Sequence, residues 1–198
     1  MEEIINYFES IYYDLKGWTL SLKIRWASTP PFKTLRRMGL SKGMDVLDVG
    51  CGPGFWALPA AKIVGRDARV LACDISPKML AAAKQRAAAE GITNIVFRKA
   101  KTYGVPFKPE RVDFCLMNYV LHEVDDPKRL LTEVVKVLRP GGFLAVYEWA
   151  KKKAEIGPPL SDRIAQSKME SLFRSNGLRR TAVWRPDPSN YILVGVRR

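Results

Sequence analysis

At 198 residues, 47% hydrophobic and 27% charged, the chain has the make-up of one soluble domain with modest additions. No apolar run approaches the ~20 residues of a membrane span, and the start, MEEII, lacks the basic stretch and apolar core of a secretory signal, so a cytoplasmic setting is expected. One His and three separated cysteines (Cys51, Cys73 and Cys115) argue against a zinc site, whereas a net charge of +13 leaves nucleic acid, anionic lipid or an anionic metabolite open as partners.

Residues 1–28 interleave aromatic and charged groups, with Ile4, Ile5, Phe8, Ile11, Tyr12 and Leu15 near helical spacing. Ser28-Thr29-Pro30-Pro31 breaks that pattern, so residues 1–31 are expected to form a helical lid and 32–198 the main domain. A short helix over 32–39 ends at Gly39. Apolar runs then alternate with helical patterns: strands at 45–49, 69–74, 94–98, 112–117, 143–149, 179–184 and 190–196, and helices at 55–64, 77–90, 127–138 and 161–175. Ser76-Pro77 and Asp126-Pro127 each place a cap and a first-turn proline at a helix start. Such alternation predicts an α/β fold, a doubly wound, mostly parallel seven-stranded sheet, with ligands beyond the carboxyl ends of the strands.

The segment VLDVGCGPG, residues 46–54, falls at such an end. It fails the dinucleotide fingerprint, because the third glycine arrives one residue early, and no Gly-Lys-Ser/Thr follows as a phosphate loop requires. Asp48, two residues before Gly50, would repel a pyrophosphate and suits a ligand with a cationic amine. Twenty residues after Gly54, VLACD ends in Asp74, which can accept hydrogen bonds from ribose hydroxyls. An amine at one end and a ribose at the other fit S-adenosylmethionine (SAM).

VLDVGCGPG, the segment from Asp74 to Leu80 (DISPKML) and the segment from Leu138 to Gly142 (LRPGG) resemble the motifs of class I SAM-dependent methyltransferases. The likeness is to the type 11 family that includes ubiquinone and menaquinone C-methyltransferases, and it is strong from about residue 35 to 150. It implies a Rossmann-like methyltransferase fold that binds SAM and transfers its methyl group to a small-molecule acceptor. It also implies that Gly50, Cys51 and Gly52 wrap the methionine end with Asp48 behind them. Asp74 would then hold the ribose, Ile75 and Met79 would pack beside adenine and sugar, and Asn118 would touch the cofactor. The family usually carries an Asp where this chain has Lys101, so backbone near Lys101 and Thr102 is expected to serve the adenine amine instead.

The loop NYVLHEV, 118–124, is the expected acceptor side. His122 is the lone histidine and a candidate base near neutral pH; Tyr119 and Glu148 are further catalytic candidates. YFESIYYD, 7–14, resembles the family's Phe–Tyr-Asp region, in which Tyr13, with Tyr12 as the alternative, would close over the methionine end. Trp18 and Trp26 among Lys16, Lys23 and Arg25 suit an aromatic or anionic acceptor, a peripheral membrane contact or plain packing. Two other functions stay open. An RNA or protein methyltransferase would use the basic surface, yet no RNA-binding appendage is recognisable, so nucleic acid is not favoured. A SAM-binding protein without catalysis would fit the Lys101 departure.

Overall fold

The computed structural model describes residues 29–154 and 157–198. The elements run α1 (Pro31–Arg37), β1 (Val46–Val49), α2 (Ala57–Val64), β2 (Val70–Asp74), α3 (Pro77–Ala89), β3 (Ile95–Lys99) and β4 (Val112–Asn118). A 3-10 turn (Leu121–Glu123), α4 (Pro127–Val137), β5 (Leu138–Trp149), α5 (Gln166–Ser175), β6 (Leu178–Trp184) and β7 (Asn190–Arg197) complete the chain. The seven strands lie in one sheet in the order β3-β2-β1-β4-β5-β7-β6. Neighbours from β3 to β5 pair in parallel, and β7 runs antiparallel to β5 and β6. This is the doubly wound, mostly parallel seven-stranded sheet expected from the sequence.

Local chemistry sets the elements. β1, VLDV, is buried along its whole length, as a central strand covered on both faces must be. The Ser76 Oγ accepts from the Met79 N–H at 3.3 Å, and Asp126 Oδ1 accepts from Arg129 N–H at 3.0 Å, so both expected caps form ahead of Pro77 and Pro127. In α4, Leu130, Leu131, Val134 and Val137 repeat at three- and four-residue spacing and are all buried. Two cores result. One packs α1, α2 and α3 with Leu116, Ala145 and Tyr147; the other packs α4 and α5 with Leu47, Met117 and Val146.

Most boundaries lie within two residues of expectation, and two differ by more. β5 begins at Leu138 rather than 143, because Leu138 pairs with Val112 and its carbonyl accepts from the Arg197 guanidinium; the R-P-G-G segment is absorbed as a register shift. The helix expected over 161–175 begins only at Gln166. The buried Arg163 holds the chain before it in a loop, donating to the Pro158 carbonyl at 2.9 Å and the Lys152 carbonyl at 2.8 Å. The expected lid lies almost wholly outside the described residues. Among those described, no helix is long and apolar enough to cross a membrane, and no cluster of His, Cys, Asp or Glu is arranged to hold a metal ion.

Candidate functional site

The carboxyl ends of β1, β2, β4 and β5 converge on the glycine loop. Gly50 has φ +67°, and a Cβ built there would meet Val120 Cγ2 at 2.4 Å, so only glycine lets the loop lie against the turn after β4. Gly52 has φ +51°, and a Cβ there would meet nothing within 4 Å: it faces open space. The Gly52 N–H donates to Asp74 Oδ2 at 2.8 Å, and Ser76 N–H donates to Asp74 Oδ1 at 2.8 Å. One carboxylate therefore ties the glycine loop to the start of α3. Its pKa is raised by burial, which outweighs the lowering by the N–H groups of Ser76, Gly52 and Ile75.

Asp48 is 1% exposed, and neither carboxylate oxygen has a hydrogen-bond partner. Burial pushes its pKa well up, the Asp74 charge adds to this, and the Ala57 N–H, outside hydrogen-bond geometry, offsets only part. Asn118 Oδ1 is likewise buried and unpartnered. Asp48 pairs in register with Leu116, and Asn118 lies two residues further along β4, so both side chains point to one face of the sheet. Two orphaned acceptor groups beside an open glycine loop fit a ligand bearing a cationic amine, as SAM does. Burial, with Asp48 and Asp74 adding, pushes the Cys73 thiol up to about 12 and raises Cys51 as well. These thiols are inert, and Cys51 contributes backbone: its N–H donates to the Cys73 carbonyl at 3.0 Å.

The remaining cofactor candidates ring the same edge. Ile75 is 59% exposed beside Asp74, a placement that an apolar side chain adopts at little gain unless something covers it. Met79 is half-buried in the first turn of α3. Lys101 and Thr102 are exposed in a tight turn closed by the Gly104 N–H on the Lys101 carbonyl at 3.0 Å. The Ala100 N–H donates to the Asp74 carbonyl at 2.9 Å, which holds that turn against the end of β2.

The three catalytic candidates within the described residues meet after β4. His122 Nδ1 lies 2.8 Å from Glu148 Oε2. Glu148 is fully buried and also accepts from the N–H groups of Leu121 (3.0 Å) and Trp149 (3.1 Å), so its carboxylate braces the turn after β4. Burial alone would lower the His122 pKa, but the hydrogen bond and charge of Glu148, with Glu123 and Asp162 adding, raise it overall. Tyr119 sits at φ +57°, a backbone state that costs a bulky residue energy. Its ring stacks on Trp149 at 4.9 Å and its hydroxyl donates to Asn190 Oδ1 at 2.8 Å. Tyr13 lies outside the described residues.

Sequence reasoning missed Asn190, Asp187 and Trp56, which gather around Tyr147, a residue the sequence offered as lining a pocket or closing the sheet edge. Asn190 Nδ2 donates to both oxygens of Asp187, at 2.9 and 2.8 Å, and Tyr147 Oη lies 3.5 Å from Asp187 Oδ2 and 3.3 Å from Thr29 Oγ1. The ring of Trp56 lies 6.0 Å from that of Tyr147. The P-D-P-S-N turn was a readable loop signal, but its place at this edge follows only from β7 running antiparallel to β5.

Comparison with known proteins identifies the family and the fold. A family model described as a methyltransferase domain matches residues 47–146. A demethylmenaquinone methyltransferase of Shouchella clausii is 30% identical over 151 residues, covering 74% of this chain and 63% of that protein. One of Lactococcus lactis is 30% identical over 147 residues, covering 74% and 58%. The chain thus spans under two thirds of the length of these relatives. The crystal structure of a SAM-dependent methyltransferase from Aquifex aeolicus superposes with a TM-score of 0.81 at 29% identity, covering 86% of this chain and 91% of that one. The [4+2]-cyclase SpnF, at 21% identity and a TM-score of 0.73 over 86% and 80% of the two chains, shares the fold.

Proposed function

The chain belongs to the methyltransferase-domain family, whose members here include SAM-dependent enzymes, and on that premise we propose that it transfers the methyl group of SAM to a small organic acceptor. The observation that carries this reading is the pair of buried, unpartnered acceptor groups, Asp48 and Asn118, on one sheet face beside the open Gly52. When bound, SAM supplies a methyl group on a sulfonium, which leaves with its bonding electrons on sulfur as an acceptor atom attacks in line.

The residues divide the remaining work. Asp48 and Asn118 hold the amine, the glycine-loop backbone lies along the methionine end, and Asp74 takes the ribose hydroxyls with the oxygen capacity that Gly52 and Ser76 leave free. Ile75 and Met79 flank the base, and the Lys101–Thr102 turn meets its edge through backbone. Holding donor and acceptor in line is itself a large part of the rate. Tyr119 and Trp149 present stacked rings on the acceptor side, which suits a flat ring such as the quinone-type acceptors named for the curated relatives.

His122, braced by Glu148 through Nδ1, has Nε2 available to take a proton when the acceptor carries one. Incubating the protein with methyl-labelled SAM and a fractionated cell extract tests the reading. Label is expected in the low-molecular-mass fraction. Label in RNA or protein overturns the small-molecule assignment, and no transfer to any fraction overturns the enzymatic one.

A further inference from the structure

Among the described residues, buried side-chain nitrogen or oxygen atoms without a hydrogen-bond partner belong to Asp48, Asn118 and Trp56. The first two offer acceptors. The third, Trp56 Nε1, is a donor and nothing else. Native structures rarely leave such a group unsatisfied, and the roles assigned to Asp48 and Asn118 do not use it.

The indole is well placed to matter. Trp56 follows Gly54 by two residues and stands at the N-terminal end of α2. It is 3% exposed, with Phe55 edge-on at 5.2 Å and the Tyr147 ring at 6.0 Å. Tyr147 pairs in register with Asn118 and packs in the same core as Trp56 and Leu116. The indole therefore lies against Tyr147, on the sheet face that carries both orphaned acceptors.

A ligand with only a cationic amine would satisfy Asp48 and Asn118 and leave the indole N–H buried and unpaired. A ligand with a carboxylate next to that amine completes all three. We infer that the Trp56 indole N–H binds the carboxylate of the cofactor's amino-acid end, and that Trp56, Asp48 and Asn118 together form a receptor for a zwitterion. A neutral donor suits this position physically. Lysine or arginine there would pair with Asp48 and cancel the charge that attracts the amine, whereas an N–H dipole binds an anion without competing for Asp48. The inference rests on SAM being the cofactor, and the test separates the two.

The experiment is calorimetric titration of wild-type protein and Trp56→Phe with two probes, S-adenosylhomocysteine and decarboxylated SAM. Both carry adenine, ribose and amine; only the first carries the carboxylate. Trp56→Phe keeps an aromatic ring and removes the N–H. It is expected to bind S-adenosylhomocysteine about tenfold more weakly or worse, and decarboxylated SAM as the wild type does. Equal losses for both probes, or no loss for either, overturn the role of the N–H while leaving SAM binding intact. Failure of the wild type to bind either probe overturns the cofactor reading itself, and this inference with it.

A second measurement does not depend on the variant folding. Wild-type protein labelled with 15N at its five indoles gives one cross-peak per N–H, assigned by Phe replacement of Trp18, Trp26, Trp149 and Trp184 in turn. The Trp56 proton is expected to move downfield with S-adenosylhomocysteine and to stay in place with decarboxylated SAM. The same shift with both probes contradicts carboxylate binding.

Discussion

The Tyr119 hydroxyl donates to Asn190 Oδ1 at 2.8 Å, joining the residue after β4 to the first residue of β7. Tyr119 holds a left-handed backbone at φ +57° that the stack on Trp149 and this hydrogen bond must maintain. Asn190→Ala removes the acceptor and also strips Asp187 of both its Nδ2 bonds. A stability loss of roughly 1–3 kcal/mol is expected in urea unfolding, with a larger proportional loss of methyl transfer than of SAM affinity. Equal losses in both would place Tyr119 in the cofactor site instead of on the acceptor side.

The two glycines of the loop separate folding from binding. In Gly50→Ala the new Cβ drives into Val120 at 2.4 Å, so both stability and ligand binding should fall. In Gly52→Ala the Cβ enters open space, and only the positive φ costs stability, roughly 1–2 kcal/mol. Thermal unfolding is expected to show Gly52→Ala the more stable of the two, while calorimetry shows it unable to take SAM at wild-type affinity. Normal SAM binding by Gly52→Ala would mean that the open space is not the ligand's.

Asp48 sets stability against function. Burial first, and the Asp74 charge second, raise its pKa, so near neutral pH its ionised form is a liability to the ligand-free fold. An acid with a raised folded pKa gives stability that declines as pH climbs from the unfolded value toward the folded one. Asp48→Asn is therefore expected to match or exceed the wild-type melting temperature near neutral pH without ligand, and to lose the rise that SAM gives the wild type. A variant that melts lower without ligand and still gains from SAM would show that the carboxylate braces the fold.

His122 titrates with the opposite consequence. Glu148 at 2.8 Å, helped by Glu123 and Asp162, raises its pKa against the effect of burial. The stability this adds is fully present below the unfolded value, about 6.5, and fades as pH rises through the higher folded value. The gap in melting temperature between wild type and His122→Gln should be widest near the acid end and narrow as pH increases. If the neutral imidazole takes a proton from the acceptor, methyl transfer should rise through the same raised pKa. A gap that is flat with pH removes the coupling to Glu148.

How much of this was written in the sequence varies with the range of the contacts. Asp48 stood out because it lies two residues before Gly50, where a carboxylate repels a pyrophosphate and suits a cationic amine, and the caps at Ser76 and Asp126 read directly from their prolines. Trp56, Asn190 and Asp187 did not stand out. Their roles depend on β7 lying antiparallel beside β5 and on Tyr147 facing α2, neither of which leaves a local trace. Glu148 was legible as a residue near the site. That it is closed off and braces the 3-10 turn required the backbone N–H of Leu121 to be placed.

The most direct test of the central claim is titration of SAM, and separately of NAD, into wild-type protein and Asp74→Ala. One SAM per chain is expected to bind the wild type, with NAD much weaker. Asp74→Ala should weaken SAM by ~1–3 kcal/mol, through hydrogen bonds lost to a charged acceptor. Unchanged SAM affinity in Asp74→Ala, or NAD binding more tightly than SAM to the wild type, would contradict a SAM site at the glycine loop.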